Sequence, residues 1–153
     1  MPTAWRIIKP SRVFDAFSGE GARLFGGRWN SVGTPMVYAA ESKALAALEI
    51  LVHMDDEHLM EEYLCIPVCF DSRLVRNLDL LSLPKSWRET PPSCLTQCMG
   101  DVWVTEALSV VLAVPSVLVP SESNFLINPK HPGFGDLKIG KPESFEFDPR
   151  LLK

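Results

Sequence analysis

Glu49 is the only polar side chain in "ALAALEILV", residues 44–52. Its neighbours at helical spacing are Leu45, Ala46, Val52 and His53, with no lysine or arginine among them to pair with it. A helix apolar on nearly all sides belongs inside a protein, where an ionised carboxylate costs on the order of several kcal/mol unless the fold compensates it. The spacing therefore predicts an anionic oxygen shielded from solvent; the competing reading is a narrow solvent-facing stripe, the usual place for a helical glutamate. Upstream, Arg28 stands on "GGRWN", where flanking glycines allow a close approach to a ligand and the planar guanidinium suits phosphate or carboxylate. A surface ion pair is its plain alternative. Tyr38, on the segment feeding the apolar run, offers a ring to stack on and a hydroxyl.

Further polar groups lie in "VPSVLVPSESNFLINPKHPGF", residues 114–134: Ser116 after Pro115, then Asn124, Asn128 and His131 around "FLI" and "NPKHP". Asn, Ser and Pro dominate turns, so each of these also has an ordinary structural reading, and a lone histidine such as His131 is usually a turn hydrogen-bonder. There is no Ser-His-Asp order and no nucleophile elbow, His53, His58 and His131 lack zinc spacing, and G-x-G-x-x-G and the P-loop are absent. The four cysteines form two C-x3-C pairs, Cys65/Cys69 and Cys94/Cys98. Zinc knuckles use C-x2-C on tight turns, whereas "CIPVC" is strand-like and "CLTQC" opens a helix, so reduced, mostly buried thiols and no metal are expected.

The elements that must position these groups follow from pattern. "AWRII" (4–8) reads as a strand, residues 10–35 as a glycine-punctuated loop, and "PMVYAA" (35–40) as a short buried strand. Ser42 caps a helix reaching about His53. "EYLCIPVCF" (62–70) is a strand in which Pro67 calls for an edge position or a bulge, and residues 77–92, broken by Pro84, Pro91 and Pro92, are loop or short helix. The apolar spacing in residues 98–114 predicts a second main helix closed by Pro115. "SVLVP" (116–120) and "NFLIN" (124–128) read as strands, with shorter ones possible at "LKIG" and "SFEF". The expected class is α+β, one domain over residues 1–153 with mixed or antiparallel strands and two main helices.

The length suffices for one core that buries roughly 70% of the unfolded chain's surface. No apolar stretch reaches the ~18 residues of a membrane span, and the N-terminus lacks a secretory signal pattern, so a cytoplasmic protein off the membrane is expected. With 15 Lys+Arg against 19 Asp+Glu, net charge −4, and no dense basic cluster, nucleic acid is not an expected ligand.

The chain resembles the RES domain family, named for its arginine, glutamate and serine. The resemblance rests on "WRI", "GGRWNSVGTPMVYAAES" with "ALAALE", "VPS", "NFLINPKHPGF" and "FEFDPRLL", and spans nearly the whole chain. It carries Arg28 and Glu49 over as family residues, then Tyr38, with Ser116 as the family serine and Ser121 and Ser123 left open. It implies a fold similar to ADP-ribosyltransferases and a toxin of a bacterial toxin–antitoxin pair that degrades NAD, the usual partner being an Xre-like antitoxin over the active site. NAD would be the substrate, with inorganic phosphate as a possible co-substrate and no prosthetic group. On that reading Glu49 stabilises the oxocarbenium-like state of nicotinamide–ribose cleavage, Arg28 grips the pyrophosphate, Tyr38 stacks, and Ser116 and Asn124 contact the dinucleotide. An ADP-ribosyltransferase acting on a protein and a catalytically silent binding module are the alternatives. A homodimer and a larger toxin–antitoxin assembly are both compatible.

Overall fold

In the computed structural model, which describes residues 1–152, eight strands form one sheet. They are β1 (Thr3–Ile8), β2 (Val37–Ala40), β3 (Tyr63–Cys69), β4 (Val75–Asn77), β5 (Val111–Pro115), β6 (Ser123–Ile127), β7 (Lys138–Ile139) and β8 (Glu143–Phe145). Their order is β4-β5-β6-β2-β1-β3-β7, with β8 also paired to β3. Only β4 and β5 run parallel; the other pairs are antiparallel. The helices are α1 (Glu20–Phe25), α2 (Lys43–Leu51), α3 (Asp56–Leu59) and α4 (Cys94–Thr105). The class is α+β, as expected, with α2 and α4 as the two main helices.

Register fixes what each face carries, because directly opposed residues point the same way. Trp5 opposes Ala40, Ala40 opposes Asn124, and Asn124 opposes Val114, while Tyr38, Leu126 and Leu112 form the next row of the same face. Onto this face α2 packs Leu45 and Ala46 against Ile7 and Ala40. On the β5–β6 side α4 packs Trp103 against Leu112, Val114 and Leu126. The opposite face buries Ala4, Val37, Ala39, Val68, Val111 and Ile127 with Phe70 and Leu137. Asn124 is thus a polar residue in the middle of the face that both helices flank.

Ser42 caps α2 as expected, its Oγ accepting from Leu45 N at 3.0 Å. Pro67 also sits where its missing N–H does no harm. β8 pairs with Tyr63–Cys65 and β7 with Val68–Cys69, leaving Pro67 in the gap between them, where its carbonyl accepts from Gly140 N at 2.8 Å.

Two expectations fail together. The second helix is α4, which starts at Cys94 under a Ser93 cap and ends at Thr105, so residues 98–114 are not one helix. Ala107 adopts φ 48, which no helix continues through, and residues 111–115 are β5, buried at every position. A strand buried on both faces is a continuous apolar run, which periodicity does not separate from a buried helix. With β5 there, "SVLVP" (116–120) is a turn and not a strand: Ser116 N donates to Glu122 O at 2.9 Å and Glu122 N to Val119 O at 2.8 Å. The segment read as loop at 10–35 also contains α1 and a 3-10 turn at Pro10–Asp15. The thiols depart from expectation as well. All four are free, but only Cys65 is buried; Cys69 is half-buried, and Cys94 and Cys98 lie exposed on α4. Among the described residues no helix is long and apolar enough to cross a membrane.

Candidate active site

α2 is nine residues long and lies on the sheet instead of within the core. Its inner side buries Leu45 and Ala46, while Leu48 and Val52 remain 45% and 56% exposed. Glu49, on the flank between, is half-buried. The full enclosure expected from the apolar run is therefore not found: sequence alone does not reveal that three of its apolar residues, Ala44, Leu48 and Val52, face water. The compensation expected from elsewhere in the fold is present. Oε1 of Glu49 accepts from Ser116 Oγ at 2.9 Å and from Asn124 Nδ2 at 2.8 Å. No hydrogen bond engages Oε2 among the described residues.

Ser116 is fully buried at the exit of β5, not at the start of a strand. Its Oγ accepts from Leu118 N at 3.1 Å and Val119 N at 3.2 Å while donating to Glu49, so the hydroxyl is saturated and its direction fixed. Among the described residues Ser121 and Ser123 make no hydrogen bond to Glu49; Ser123 N instead donates to Glu41 Oε1 at 2.6 Å. Asn124 Oδ1 is buried and lacks a partner among the described residues, an unmet acceptor next to the carboxylate.

Arg28 is half-buried and donates Nη1 to the carbonyls of Trp87, at 3.0 Å, and Glu89, at 2.7 Å. Desolvation lowers its pKa, and the charge of Glu49 opposes that shift, which places the two groups in each other's field. Neither belongs to a salt bridge among the described residues. The surface ion pair considered for Arg28 is absent there, replaced by neutral carbonyls.

The turn carrying Arg28 is clamped by Tyr38 and by further side chains that the sequence did not single out. Tyr38 OH accepts from Trp29 N at 3.1 Å and donates to Asn30 Oδ1 at 2.6 Å; burial pushes the phenol pKa up, so it stays a donor. The wholly buried Asn30 donates Nδ2 to Ala22 O at 2.7 Å and Thr34 O at 3.0 Å. From α4, Gln97 Nε2 donates to Gly27 O at 3.0 Å, and Asp101 accepts from Ser31 N and Oγ at 3.0 and 2.5 Å. Two glycines make these approaches possible: a Cβ at Gly100 would sit 1.6 Å from Trp29 O, and one at Gly27 2.7 Å from Tyr38 OH. Only Asn30 carried a local signal, as a polar residue inside a glycine-rich turn. Gln97 and Asp101 are 70 residues from their partners.

The fold therefore gathers Arg28, Tyr38, Glu49, Ser116 and Asn124 on one face of the sheet, between α2 and α4. Asn128 and His131 do other work: Asn128 accepts from Lys130 N at 3.0 Å, and His131 Nδ1 accepts from Gly133 N at 2.8 Å. Of two hollows, one of about 240 Å³ is lined by Arg6, Arg12 and Asp15 and reaches Tyr38, and one of about 380 Å³ is lined by His53, Met54 and Tyr63; neither is lined by Glu49 or Arg28. Among the described residues no group of three or more His, Cys, Asp or Glu side chains is placed to hold a metal. The arrangement offers a carboxylate held by neutral donors, with a guanidinium nearby. It suits a ligand that is anionic at one end and becomes cationic at the other.

Residues 3–148 match the family model described as the RES domain. The chain is 37% identical over 150 residues to a protein named "Toxin Res" from Photorhabdus laumondii, covering 97% of this chain and 96% of that one. It is 36% identical over 154 residues to a "Prs ADP-ribosylating toxin" from a Sphingobium species, covering 97% and 96%. Among solved structures, the M. tuberculosis MbcT-MbcA toxin-antitoxin complex contains a chain that superposes with a TM-score of 0.76 over 94% of this chain and 84% of its own, at 21% identity. That likeness is one of fold.

Proposed function

The chain belongs to the RES domain family, and from that premise we propose that it is a toxin which cleaves NAD at the nicotinamide–ribose bond and is held in check by an antitoxin. The relatives' names support the toxin role, and the antitoxin complex of the structural neighbour supports such a partner, of Xre-like type in this reading. Its field of action is the bacterial cytoplasm, where NAD depletion arrests growth.

The observation that carries the reading is the double donation of Ser116 and Asn124 onto one oxygen of Glu49. In the reaction the C–N bond to ribose breaks, its electron pair leaves with nicotinamide, and positive charge develops on the sugar. Because the pyridinium departs as neutral nicotinamide, no proton need be supplied to it and one carboxylate suffices. Ser116 and Asn124 fix the orientation of Glu49, so that Oε2 faces the developing cation or holds a ribose hydroxyl without reorganisation. Arg28 takes the pyrophosphate by exchanging carbonyl oxygens for phosphate oxygens, which charge assistance favours. Tyr38 holds the turn that aims Arg28 through its hydroxyl. The attacking group is water or inorganic phosphate, and its oxygen bonds to the anomeric carbon from the face opposite the leaving group or after nicotinamide has left.

The test is incubation of purified protein with NAD, with product masses read with and without phosphate. Free ADP-ribose or its 1″-phosphate is expected, and Glu49→Gln should slow NAD loss ~10²-fold or more, the scale of removing a transition-state contact. Undiminished NAD consumption by Glu49→Gln protein would falsify the role of that carboxylate. A second reading, transfer of ADP-ribose to a protein, is favoured by the name of the Sphingobium relative. Label from NAD fixed on a macromolecule would decide for it.

A further inference from the structure

The segment that receives Arg28 also reaches the other side of the site. Arg28 Nη1 is held by the carbonyls of Trp87 and Glu89. The residue between them, Arg88, extends its own Nη2 to Val117 O at 2.8 Å, next to Ser116. Ser116 Oγ in turn donates to Glu49, whose charge acts on Arg28. Residues 87–89 therefore form a strap closing a ring that runs from Arg28 through Arg88 and Val117 to Ser116 and Glu49. The strap is anchored at its base by Trp87, which packs in the cluster of Trp29, Met36 and Trp103.

Within that ring Arg88 is a second cation beside the first. It is exposed, its guanidinium carbon lies 5.8 Å from the centre of the Trp87 ring, and no carboxylate pairs with it among the described residues. Its one hydrogen bond is to a neutral carbonyl at the site's rim. A pyrophosphate spreads two negative charges over neighbouring phosphates, more than one fork satisfies, and an arginine without an acidic partner takes phosphate oxygens without breaking an ion pair. We infer that Arg88 is a substrate-binding residue that grips the diphosphate of the dinucleotide together with Arg28. This rests on the NAD reading above and deepens it, because it assigns the diphosphate to the rim between the strap and the 116–119 turn.

A merely structural Arg88, tying the strap to Val117 and so steadying Ser116, gives a different signature. Steady-state NAD cleavage and ADP-ribose affinity by calorimetry are to be measured for wild type, Arg88→Ala and Arg88→Lys. The expected result is KM for NAD raised ~10-fold in Arg88→Ala, with kcat within about twofold, ADP-ribose affinity weakened in parallel, and most of the loss recovered in Arg88→Lys, as for loss of one charge-assisted contact. A fall in kcat at unchanged KM, or an Arg88→Lys variant no better than Arg88→Ala, overturns the assignment while leaving NAD cleavage standing. Should wild type leave NAD intact yet bind ADP-ribose ~10-fold better than Arg88→Ala, the diphosphate site holds and the cleavage reading fails. Wild type that neither cleaves NAD nor binds ADP-ribose overturns both.

Discussion

Alanine at position 100 adds one carbon where the structure has no room for it. The new Cβ would lie 1.6 Å from Trp29 O and 2.7 Å from Trp29 C, and both are backbone atoms that no rotamer change can move aside. Restoring even a tight contact requires α4 and the turn to part by about 1.4 Å. Overpacking of this kind costs ~1–3 kcal/mol and more where backbone must shift, against ~1 kcal/mol gained from replacing a helical glycine. A net loss of ~2 kcal/mol, for a chain of this size, lowers Tm by ~4–8 °C. The larger effect falls on the site, since Trp29 adjoins Arg28 and a displacement of ~1 Å in a positioning element costs ~10²-fold in rate. Thermal unfolding followed by circular dichroism, together with NAD consumption, reads both effects. Gly21→Ala is the control: a Cβ there meets nothing within 4 Å, so Tm should hold or rise slightly. A Gly100→Ala protein with wild-type Tm and activity refutes the packing of α4 on the turn and the dependence of Arg28 upon it.

Ser116→Ala and Asn124→Ala should each lower kcat ~10- to 100-fold, the range for a hydrogen bond to a charged group. Their double variant should lose less than the product, because both donors steady the same oxygen; a double-mutant cycle in kcat/KM checks this, and strict additivity would refute a shared role. Tyr38 gives a pH signature. Desolvation raises its pKa in the folded state, so above the ordinary phenol value of about 10 the unfolded chain loses a proton that the folded one keeps. Stability from this group is present below that pH and falls as pH rises beyond it, by up to ~1.4 kcal/mol per pH unit. Urea midpoints from pH 9 to 11 should therefore drop more steeply for wild type than for Tyr38→Phe; parallel slopes would count against a buried, proton-holding phenol.

What was legible in the sequence is what short-range physics controls. Ser42 announces α2 because a cap acts within three residues, and Pro67 announces a gap in the sheet because it lacks a donor. Arg28, Glu49 and Ser116 are visible as polar groups whose neighbours are apolar or glycine, and Asn124 as a polar residue flanking the apolar "FLI". β5 carries no strand signal of its own, because Val111–Pro115 is buried at every position, which erases the alternation that marks a strand. Leu48 and Val52 have the composition of core residues yet face solvent, so the apolar run predicts a deeper enclosure of Glu49 than the fold gives. Gly100, Gln97 and Asp101 were not readable at all. Their importance comes from the approach of α4 to a turn some 70 residues earlier, and no local pattern encodes that approach.

The absence of a basic residue around Glu49 in its own helix raised the question of what stabilises it, and the structure answers with neutral donors. The distinction matters for chemistry. A cation about 4 Å from a carboxylate is worth ~4 kcal/mol at an effective dielectric near 20, so a lysine paired to Glu49 would already have made the interaction that a developing sugar cation needs. Hydroxyl and amide dipoles orient the carboxylate while leaving its net charge unmatched. Arg28, whose pKa the charge of Glu49 raises against desolvation, is turned onto the strap carbonyls instead of forming an ion pair with it. The guanidinium and the carboxylate are thus kept near each other but unpaired; on the proposed NAD reading each is free for the charge of opposite sign on one substrate, diphosphate for the first and an electron-poor ribose for the second. Replacing Ser116 or Asn124 by a basic residue would keep a donor on Oε1 and neutralise the anion, so an Asn124→Lys protein that still folds should lose turnover more completely than Asn124→Ala.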